Sequence, residues 1–401
     1  MKKRRLWIFM LCILPAILTA CSRQSQYPTD DTYHSETDFQ YTWYPQGLDR
    51  NFAESEKGYY FNAIANSRSY LFYIDKETMQ TVPLCGKPNC LHYDETDEDR
   101  ILLCNALLQG SGTVFYSGKK LYVITGSEEE QGREALYAFD EDGSSRRELF
   151  QVPHSSPDRL AVHRGKLYIG LNTYLENMGS QISILAYDLD SPDREPETIY
   201  KQDFADATTM MDIVCYGNHL YFNLASSSMS DVFYEVNLQT HRAKEIFPYE
   251  GKEGEYYHYK TVVWDNRLIS QEAPLYDSGR EEKAGVILLA DLDGENVERG
   301  MEIWSGPYTA DDRYLYRWTM FSGVPLTDQP TFQVYDRDEN LVAQMDLTRE
   351  LTDYRQFYVS PGEDVFVVGD GRLYYFTKEE IASGSISPKL LLEDENIYMR
   401  W

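Results

Sequence analysis

The sequence of 401 residues lacks the short motifs that mark common classes of enzyme. It contains no Gly-x-Ser-x-Gly nucleophile elbow, no Gly-rich P-loop and no dinucleotide fingerprint, the motifs that expose a nucleophile or cradle phosphates. Positive charge is also scarce, with 38 Lys and Arg against 65 Asp and Glu and a formal net charge of −27. Because nucleic acid would be repelled by so acidic a surface, nucleic-acid binding is disfavoured.

Long apolar segments and helical periodicity are missing as well. Outside the N-terminus no apolar period of 3.6 residues is sustained, which argues against a helical fold. The longest apolar run, Leu6 to Leu18, has 13 residues, fewer than the roughly 20 that a membrane-spanning helix needs. The sequence therefore predicts a chain built from strands, with an N-terminal segment of a different kind.

That N-terminal segment has the three parts of a secretion signal. A basic stretch, Met1 to Arg5, precedes the apolar run, and Leu18-Thr19-Ala20-Cys21 ends it with small residues before a cysteine. These four residues resemble the lipobox of bacterial lipoproteins. The resemblance implies that residues 1–20 are removed as a signal peptide and that Cys21 receives a diacylglyceryl group on its sulfur. The alternative is a soluble secreted protein with an incidental cysteine near the cleavage site.

The next segment, residues 21–38, is polar and has no apolar period, so it is predicted to be a flexible tether. Loss of the four basic residues of the signal would change the formal net charge from −27 to −31. Anionic lipid headgroups would repel such a body, which we expect to stand off the membrane on its lipid.

Residues 39–401 carry a repeat of roughly 50 residues, the signature of a β-propeller. In each unit an apolar strand, usually built on Leu-Tyr, is followed by a turn and a second apolar strand that commonly ends on Asp. The first strands are Gly58–Asn62, Lys120–Ile124, Lys166–Gly170, His219–Asn223, Arg267–Ser270, Tyr314–Arg317 and Val365–Val368. The second strands are Leu71–Asp75, Leu136–Asp140, Leu185–Asp188, Phe233–Asn237, Leu288–Asp291, Phe332–Asp336 and Leu373–Thr377. Each pair is a candidate hairpin, and further short runs supply a third and a fourth strand.

We therefore predict an all-β propeller of seven blades with four antiparallel strands each; six or eight blades remain alternatives. A ring closes when both ends of the chain share a blade, and residues 389–401 are expected to pair near residues 39–44 for this purpose. The Asp residues that end the strands, as in Asp140-Glu-Asp-Gly143 and Asp291-Leu-Asp-Gly294, are interpreted as turn formers. The second of these also resembles a calcium loop, but Gly stands at the wrong position for that motif.

One cluster of residues interrupts the repeat between its first two units. Cys85, Cys90, His92 and Cys104 fall within about twenty residues, and three Cys with one His form a set that binds structural zinc. Their spacing matches no standard zinc pattern, and in an exported protein a disulfide among the three Cys is an equal alternative. Unpaired thiols and a reactive Cys-His pair are lesser ones. Cys215 lies in a strand-like run and is interpreted as a buried apolar residue.

The lipobox, the Leu-Tyr…Asp units and the string Leu84-Cys85-x-x-Pro88-x-Cys90-x-His92 together resemble propeller lipoproteins of Gram-positive, clostridia-type bacteria, distant relatives of TolB-like envelope propellers. The resemblance spans the chain after the signal, but only the Cys-His string is specific. It brings no assigned catalytic residues.

Two functions follow from these observations. The first is a non-catalytic binding platform on the outer face of the cell membrane, with a protein, peptide or glycan as its ligand. The second is a hydrolase or lyase that acts on extracellular polymers at the propeller channel, since the abundant Asp and Glu could supply an acid/base pair. A deep channel pocket with two carboxylates close together would favour the enzyme.

Overall fold

The structure is a computed structural model of the chain. It describes residues 27–32, 34, 38, 52–110, 112–128, 130, 132–155, 159–176, 178–226, 229–247, 256–258, 262–274, 285–303, 308–321, 324–325, 330–347, 354–360, 362–369, 372–394 and 396–398. Cys21 and the predicted signal segment lie outside these residues.

The described residues form eight antiparallel sheets: seven are the blades of a β-propeller, and the eighth is a small two-stranded sheet within the chain of blade 6. In blades 1 to 3 the strands are β1 (Phe52–Glu54), β2 (Gly58–Ala65), β3 (Arg68–Asp75), β4 (Thr81–Pro83), β5 (Leu107–Leu108), β6 (Thr113–Ser117), β7 (Lys120–Gly126), β8 (Glu134–Phe139), β9 (Arg147–Val152), β10 (Leu160–His163), β11 (Lys166–Tyr174), β12 (Ser180–Asp188) and β13 (Glu197–Phe204). In blades 4 and 5 they are β14 (Thr209–Tyr216), β15 (His219–Ser226), β16 (Met229–Asn237), β17 (Ala243–Ile246), β18 (Tyr256–His258), β19 (Val262–Trp264), β20 (Arg267–Pro274), β21 (Gly285–Ala290) and β22 (Glu298–Ile303). In blades 6 and 7 they are β23 (Tyr308–Ala310), β24 (Leu315–Trp318), β25 (Met320–Phe321), β26 (Val324–Pro325), β27 (Thr331–Tyr335), β28 (Leu341–Asp346), β29 (Tyr354–Val359), β30 (Asp364–Gly369), β31 (Arg372–Thr377) and β32 (Lys389–Leu392). A last short strand, β33 (Ile397–Tyr398), returns to blade 1.

The strands of each blade are here called A, B, C and D in the order in which they occur along the chain. Each strand is hydrogen-bonded to the next one in this order. The A strands of adjacent blades touch one another, as β1 touches β6, β10 touches β14 and β19 touches β23. Only the strands that line the central channel of a ring can meet in this way, so A is the innermost strand. The seven hairpins predicted from the repeat are the B–C pairs of the seven blades, which confirms the all-β propeller fold and the number of blades.

Seven apolar clusters fill the spaces between adjacent blades. One of them joins the first blade to the last, packing Phe52 and Phe61 against Tyr358 and Phe366. Stacked aromatic rings bury large areas at such contacts. The ring is therefore closed by side-chain packing between blades 1 and 7.

The C-terminal strand also joins the two ends of the chain. Ile397 pairs with Ala65 and Tyr398 with Ile64 on β2, beside β1. Residues 39–44, the partner expected from the sequence, lie outside the described residues. The expectation that the ends share a blade is correct for β33, and its observed partner is β2.

Helices are few in the described chain. They are a 3₁₀ turn at His92–Asp94, α1 (Glu98–Ile101) and α2 (Lys378–Ala382). Within the described ranges no helix has the length and apolar character needed to cross a bilayer.

Candidate metal centre and the A–B face

The Cys-His residues lie in an insertion that splits the outer strand of blade 1. Strands β4 and β5 both pair with β3, and residues 84–106 leave and rejoin the sheet between them. At the junction the amide of Leu84 donates to the carbonyl of Leu71, whose own amide donates to the carbonyl of Ala106. Cys85 and Cys104 therefore stand at the two ends of the insertion.

Local turns bring the other two ligand candidates to the same place. The amide of Cys90 donates to the Lys87 carbonyl in a tight turn, and His92 has a positive φ of 54°. Helix α1 is capped by the Asp97 side chain and leads directly to Cys104. These turns fold the insertion back on itself.

The four side chains converge. The sulfur atoms of Cys85, Cys90 and Cys104 and one ring nitrogen of His92 all lie within 4.8 Å of one another, and Cys104 Sγ is 3.6 Å from His92 Nδ1. A tetrahedral zinc ion with Zn–S bonds of about 2.3 Å would hold its sulfurs about 3.8 Å apart. The cluster could thus hold a metal ion after small movements of its side chains.

Backbone amides donate hydrogen bonds to the sulfurs and thereby favour the thiolate form that binds a metal. Burial raises the pKa of Cys85, but the amides of Lys87 and Asn105 donate to its sulfur and bring that pKa below its usual value. Burial, followed by the charge of Cys85, raises the pKa of Cys104 to about 12. Burial also lowers the pKa of His92, which keeps the ring neutral, as a metal ligand must be. A bound cation would offset the cost of a thiolate at Cys104.

The three cysteines of the cluster are free thiols in the structure, as is Cys215. Cys215 is buried in β14 within the apolar cluster between blades 3 and 4, in agreement with its predicted role as a core residue. The turn at Asp291–Glu295 is a hairpin turn, closed by the Asp291 amide on the Glu295 carbonyl, rather than a calcium loop.

A second feature is the end of the ring that carries the A–B and C–D turns, here called the A–B face. The described residues of the predicted tether, namely Tyr27–Thr32, His34 and Asp38, lie against this face; we call them the N-terminal strap. The Asp38 side chain is fully buried and forms two bonds with Arg164, Nε to Oδ1 at 2.8 Å and Nη2 to Oδ2 at 2.6 Å. Several polar groups of these residues thus bond to the propeller, and the flexible tether stays a prediction for residues 21–38 as a whole.

Arg164 also holds the backbone of the strap. It donates to the carbonyls of Pro28, Asp30 and Thr32 at 3.1, 2.8 and 3.3 Å. Bidentate pairing of Arg with a carboxylate is among the stronger polar contacts in proteins. A single guanidinium thus fixes both ends of the strap.

Blade 4 provides a second attachment. Asn218 Nδ2 and Gln239 Nε2 donate to the Thr29 carbonyl at 2.7 and 2.6 Å, and the Asn218 amide donates to Asp31. The strap backbone comes so close that a Cβ on Gly217 would stand 3.1 Å from the Asp31 Cα. Glycine at this turn, with φ of 57°, permits both the turn and the approach.

The strap forms one wall of a cavity of about 450 Å³ over blades 4 to 6, here called the A–B cavity. Its other walls are the A–B turns of these blades and the C–D turn of blade 6. The lining residues are Asp31, Thr32, Tyr216, Val263, Asp265, Asn266, Asp311, Asp312 and Arg337. Among the described residues, no Ser, Cys or His is part of this lining.

Most carboxylates of the A–B cavity are already engaged. Asp265 pairs with Arg337 at 2.9 Å, and Asp31 lies 3.4 Å from His219 Nε2. Asp311 is buried and pairs with Lys378 at 2.6 Å. Three of the four carboxylates that line the cavity therefore have a partner in the propeller.

His163, beside the strap, makes the stability of the protein dependent on pH. The ring is buried, Nε2 lies 2.8 Å from the Gly217 carbonyl, and burial lowers the pKa from 6.5 to about 4. Between about pH 6.5 and 4 the unfolded chain binds a proton that the folded chain excludes, so stability falls as pH falls. We expect this residue to account for a loss of about 3 kcal/mol over that range.

The measurement is urea unfolding at pH 7 and pH 4.5, with His163→Gln as the comparison. Glutamine can still donate to the Gly217 carbonyl but does not titrate, so its stability should fall by clearly less than that of the native chain. Equal losses in the two proteins would contradict this role for His163.

No protein-family model and no curated protein sequence matches the chain. Among solved structures it resembles a prolyl endopeptidase, with a TM-score of 0.54 and 10% identity over 97% of this chain and 55% of that one. It resembles the tricorn protease with a TM-score of 0.54 and 10% identity, over 94% of this chain and 36% of that one. An oligogalacturonate lyase from Vibrio parahaemolyticus is similar over 92% of this chain and 94% of its own, with a TM-score of 0.51 and 12% identity.

These likenesses establish the fold. The chain is a seven-bladed β-propeller similar to propellers that occur in peptidases and in a lyase. It spans about half the length of the prolyl endopeptidase and about a third of the tricorn protease. At such low identity the comparisons carry no catalytic residue across.

Proposed function

We propose that this protein is a lipoprotein of the cell membrane, anchored through Cys21 on the extracytoplasmic side, that acts as a non-catalytic binding platform. Its ligand is a protein, a peptide or a glycan that the A–B cavity and the surrounding turns can reach. The Cys85, Cys90, His92 and Cys104 cluster binds a structural zinc ion in this proposal.

The state of the cavity carboxylates is the observation that carries the binding function. General acid/base catalysis needs a group that can take or give a proton at the reacting atom. Asp311 is instead buried against Lys378, Asp265 pairs with Arg337 at the surface, and Asp31 lies 3.4 Å from His219 Nε2. A cavity in which three of the four acids have partners in its own walls is better suited to recognition than to proton transfer.

The convergence of His92 with three thiols favours zinc over a disulfide. A disulfide would use two sulfurs and leave the third thiol and the imidazole without a purpose, whereas a tetrahedral ion uses all four ligands. Amides that donate to the sulfurs are a common second layer around such ions.

The anchor is tested with the full-length chain produced in a Gram-positive host. The native protein is expected in the membrane fraction, with Cys21 as its N-terminus and a diacylglyceryl group in its mass spectrum. Cys21→Ala should keep its signal segment unprocessed at this site and lack the lipid mass, while Cys215→Ala should be lipidated as the native chain is. A native chain without lipid would overturn the anchor.

The binding half of the proposal is tested on the same cells. A photo-crosslinking amino acid at the exposed cavity residue Asp312 should give a defined cross-linked product that is absent when the group replaces Tyr174, on the other end of the ring. The competing enzyme function predicts turnover of polymers, with pectic oligosaccharides and peptides as first substrates. Turnover abolished by Asp312→Asn, with no cross-linked product, would replace binding by catalysis.

A further inference from the structure

The attachment of the strap limits how the propeller can stand on a membrane. Cys21 precedes Tyr27 by six residues, which reach at most about 20 Å when fully extended. Tyr27 itself lies at the A–B face, where its ring approaches the turns at Gly118 and Gly165. A lipid on Cys21 therefore keeps this part of the A–B face within about 20 Å of the bilayer surface.

The other end of the ring is farther away. The B strands run from the A–B face to the B–C turns; β11 has nine residues, which corresponds to roughly 30 Å at about 3.3 Å per residue. Tyr174, at the far end of β11, lies beyond the direct reach of the six-residue link. The two ends of the ring are thus unequal with respect to an anchor at Cys21.

Without the strap, the two ends of the ring could approach the membrane equally well. The next described part of the chain is β1, beginning at Phe52, 31 residues after Cys21. A link of that length could extend to about 100 Å, enough for the propeller to present either end to the membrane. The bonds made by Arg164, Asn218 and Gln239 are what shorten the link.

From this geometry we propose that the A–B face is turned toward the outer surface of the lipid bilayer, with the A–B cavity opening toward the membrane. The inference rests on the proposed lipid at Cys21 and goes beyond it, because an anchor alone would fix no orientation. Ligands of the cavity are then groups presented at the membrane surface, and the B–C turns point away from it.

Energy transfer from the protein to lipid headgroups measures the orientation. The full-length lipidated protein is placed in phosphatidylcholine–phosphatidylglycerol vesicles with an acceptor dye on a fraction of the headgroups. A donor dye is attached through p-azidophenylalanine at Lys57, an exposed residue of an A–B turn, or at Tyr174, which is 72% exposed at the opposite end. Transfer should be at least about two-fold stronger from position 57, given the separation of the two ends.

Two variants separate the strap from the anchor. A Gly/Ser insertion of about 30 residues between Cys21 and Tyr27 leaves the propeller unchanged and adds a mean reach of about 30 Å. Arg164→Ala removes the main attachment of the strap. Both variants should make the transfer efficiencies from positions 57 and 174 more similar. The control Arg313→Ala breaks an exposed pair with Glu363 on the same face and should leave the difference between the two efficiencies unchanged.

The outcomes are distinct. Equal transfer from both positions of the vesicle-bound native protein, or stronger transfer from position 174, would overturn the orientation and leave the anchor standing. A protein that carries no lipid on Cys21 and does not bind vesicles would overturn both proposals. Persistence of the difference after the linker insertion would show that something other than the strap sets the orientation.

Discussion

Replacing Lys378 with methionine is expected to lower the free energy of unfolding by about 3–5 kcal/mol, because it leaves a buried carboxylate without its cation. Lys378 Nζ lies 2.6 Å from Asp311 Oδ2, and both side chains are inaccessible to solvent. The same ammonium donates to the Ser360 carbonyl at 2.9 Å. Lys378 therefore links the A–B turn of blade 6, which contains Asp311, to blade 7.

We expect the Asp311 carboxylate to stay buried when Lys378 is replaced, because three other groups donate hydrogen bonds to it. It accepts bonds from the Tyr316 hydroxyl at 2.7 Å and from the amides of Arg313 and Tyr314 at 2.8 Å each. Its desolvated charge also contributes to raising the pKa of Tyr316 well above the usual value, after burial of that ring. The penalty of an unpaired charge should consequently appear in full.

Urea unfolding followed by tryptophan fluorescence measures this loss. Arg313→Met is the matched control, since Arg313 and Glu363 link the same two blades through an exposed pair that should be worth no more than about 1 kcal/mol. The double variant Lys378→Met with Asp311→Asn should recover part of the loss, because it removes the stranded charge. A Lys378→Met protein as stable as the control would show that the pair is solvated.

Removal of the proposed zinc ion is expected to cause the second large loss of stability. If the cluster holds zinc at a free concentration a thousand times the dissociation constant, the ion contributes about 4 kcal/mol to stability, and a strong chelator should remove this contribution. The insertion packs Ile101 and Cys104 into the apolar cluster between blades 1 and 7, beside Leu107 of β5. Loss of the ion should therefore loosen residues 84–106 and weaken the closure of the ring.

Three measurements on the purified chain test this expectation. Elemental analysis should find one zinc per chain, lost in Cys90→Ser and retained in Cys215→Ser, whose thiol lies in the core of blades 3 and 4. Chelation should lower the melting temperature of the native protein but not that of Cys90→Ser. Hydrogen exchange should increase mainly in residues 84–106.

The alternative pairing gives a different pattern. A disulfide among Cys85, Cys90 and Cys104 would protect two thiols from alkylation until a reductant is added, and the protein would contain no stoichiometric metal. That result would overturn the zinc site and show that a disulfide holds the insertion together.

The hairpins of the propeller could be predicted from the sequence because their information is local. A B strand and its C strand, such as Lys166–Gly170 and Leu185–Asp188, carry alternating apolar and aromatic residues and meet across a short connection. In the structure these two strands pair as predicted, with Leu167 opposite Tyr187. Residue types alone also singled out Cys85, Cys90, His92 and Cys104 as candidate ligands.

Long-range pairing was beyond the reach of the same pattern. The two residues of β33 pair with Ile64 and Ala65, more than 300 residues away, and two apolar residues are too few to specify a partner. The insertion was recognised as an interruption, but that β4 and β5 divide one outer strand depends on their shared pairing with β3. Convergence of the four ligands follows from that division.

The strap shows most clearly which features could not be predicted from local sequence. Its composition, polar and without an apolar period, is that of a flexible linker, and nothing near Asp38 in the sequence marks it as buried. Asp38 becomes a core residue because Arg164, 126 residues later, stands in an A–B turn with its guanidinium aimed at the strap. Local sequence was thus sufficient for the strands, the blade repeat and the chemistry of the Cys-His set, since each is encoded by neighbours along the chain. The closure of the ring, the burial of Asp38 and the pairing of the A–B cavity carboxylates depend on residues that are distant in the sequence and meet only in the folded propeller.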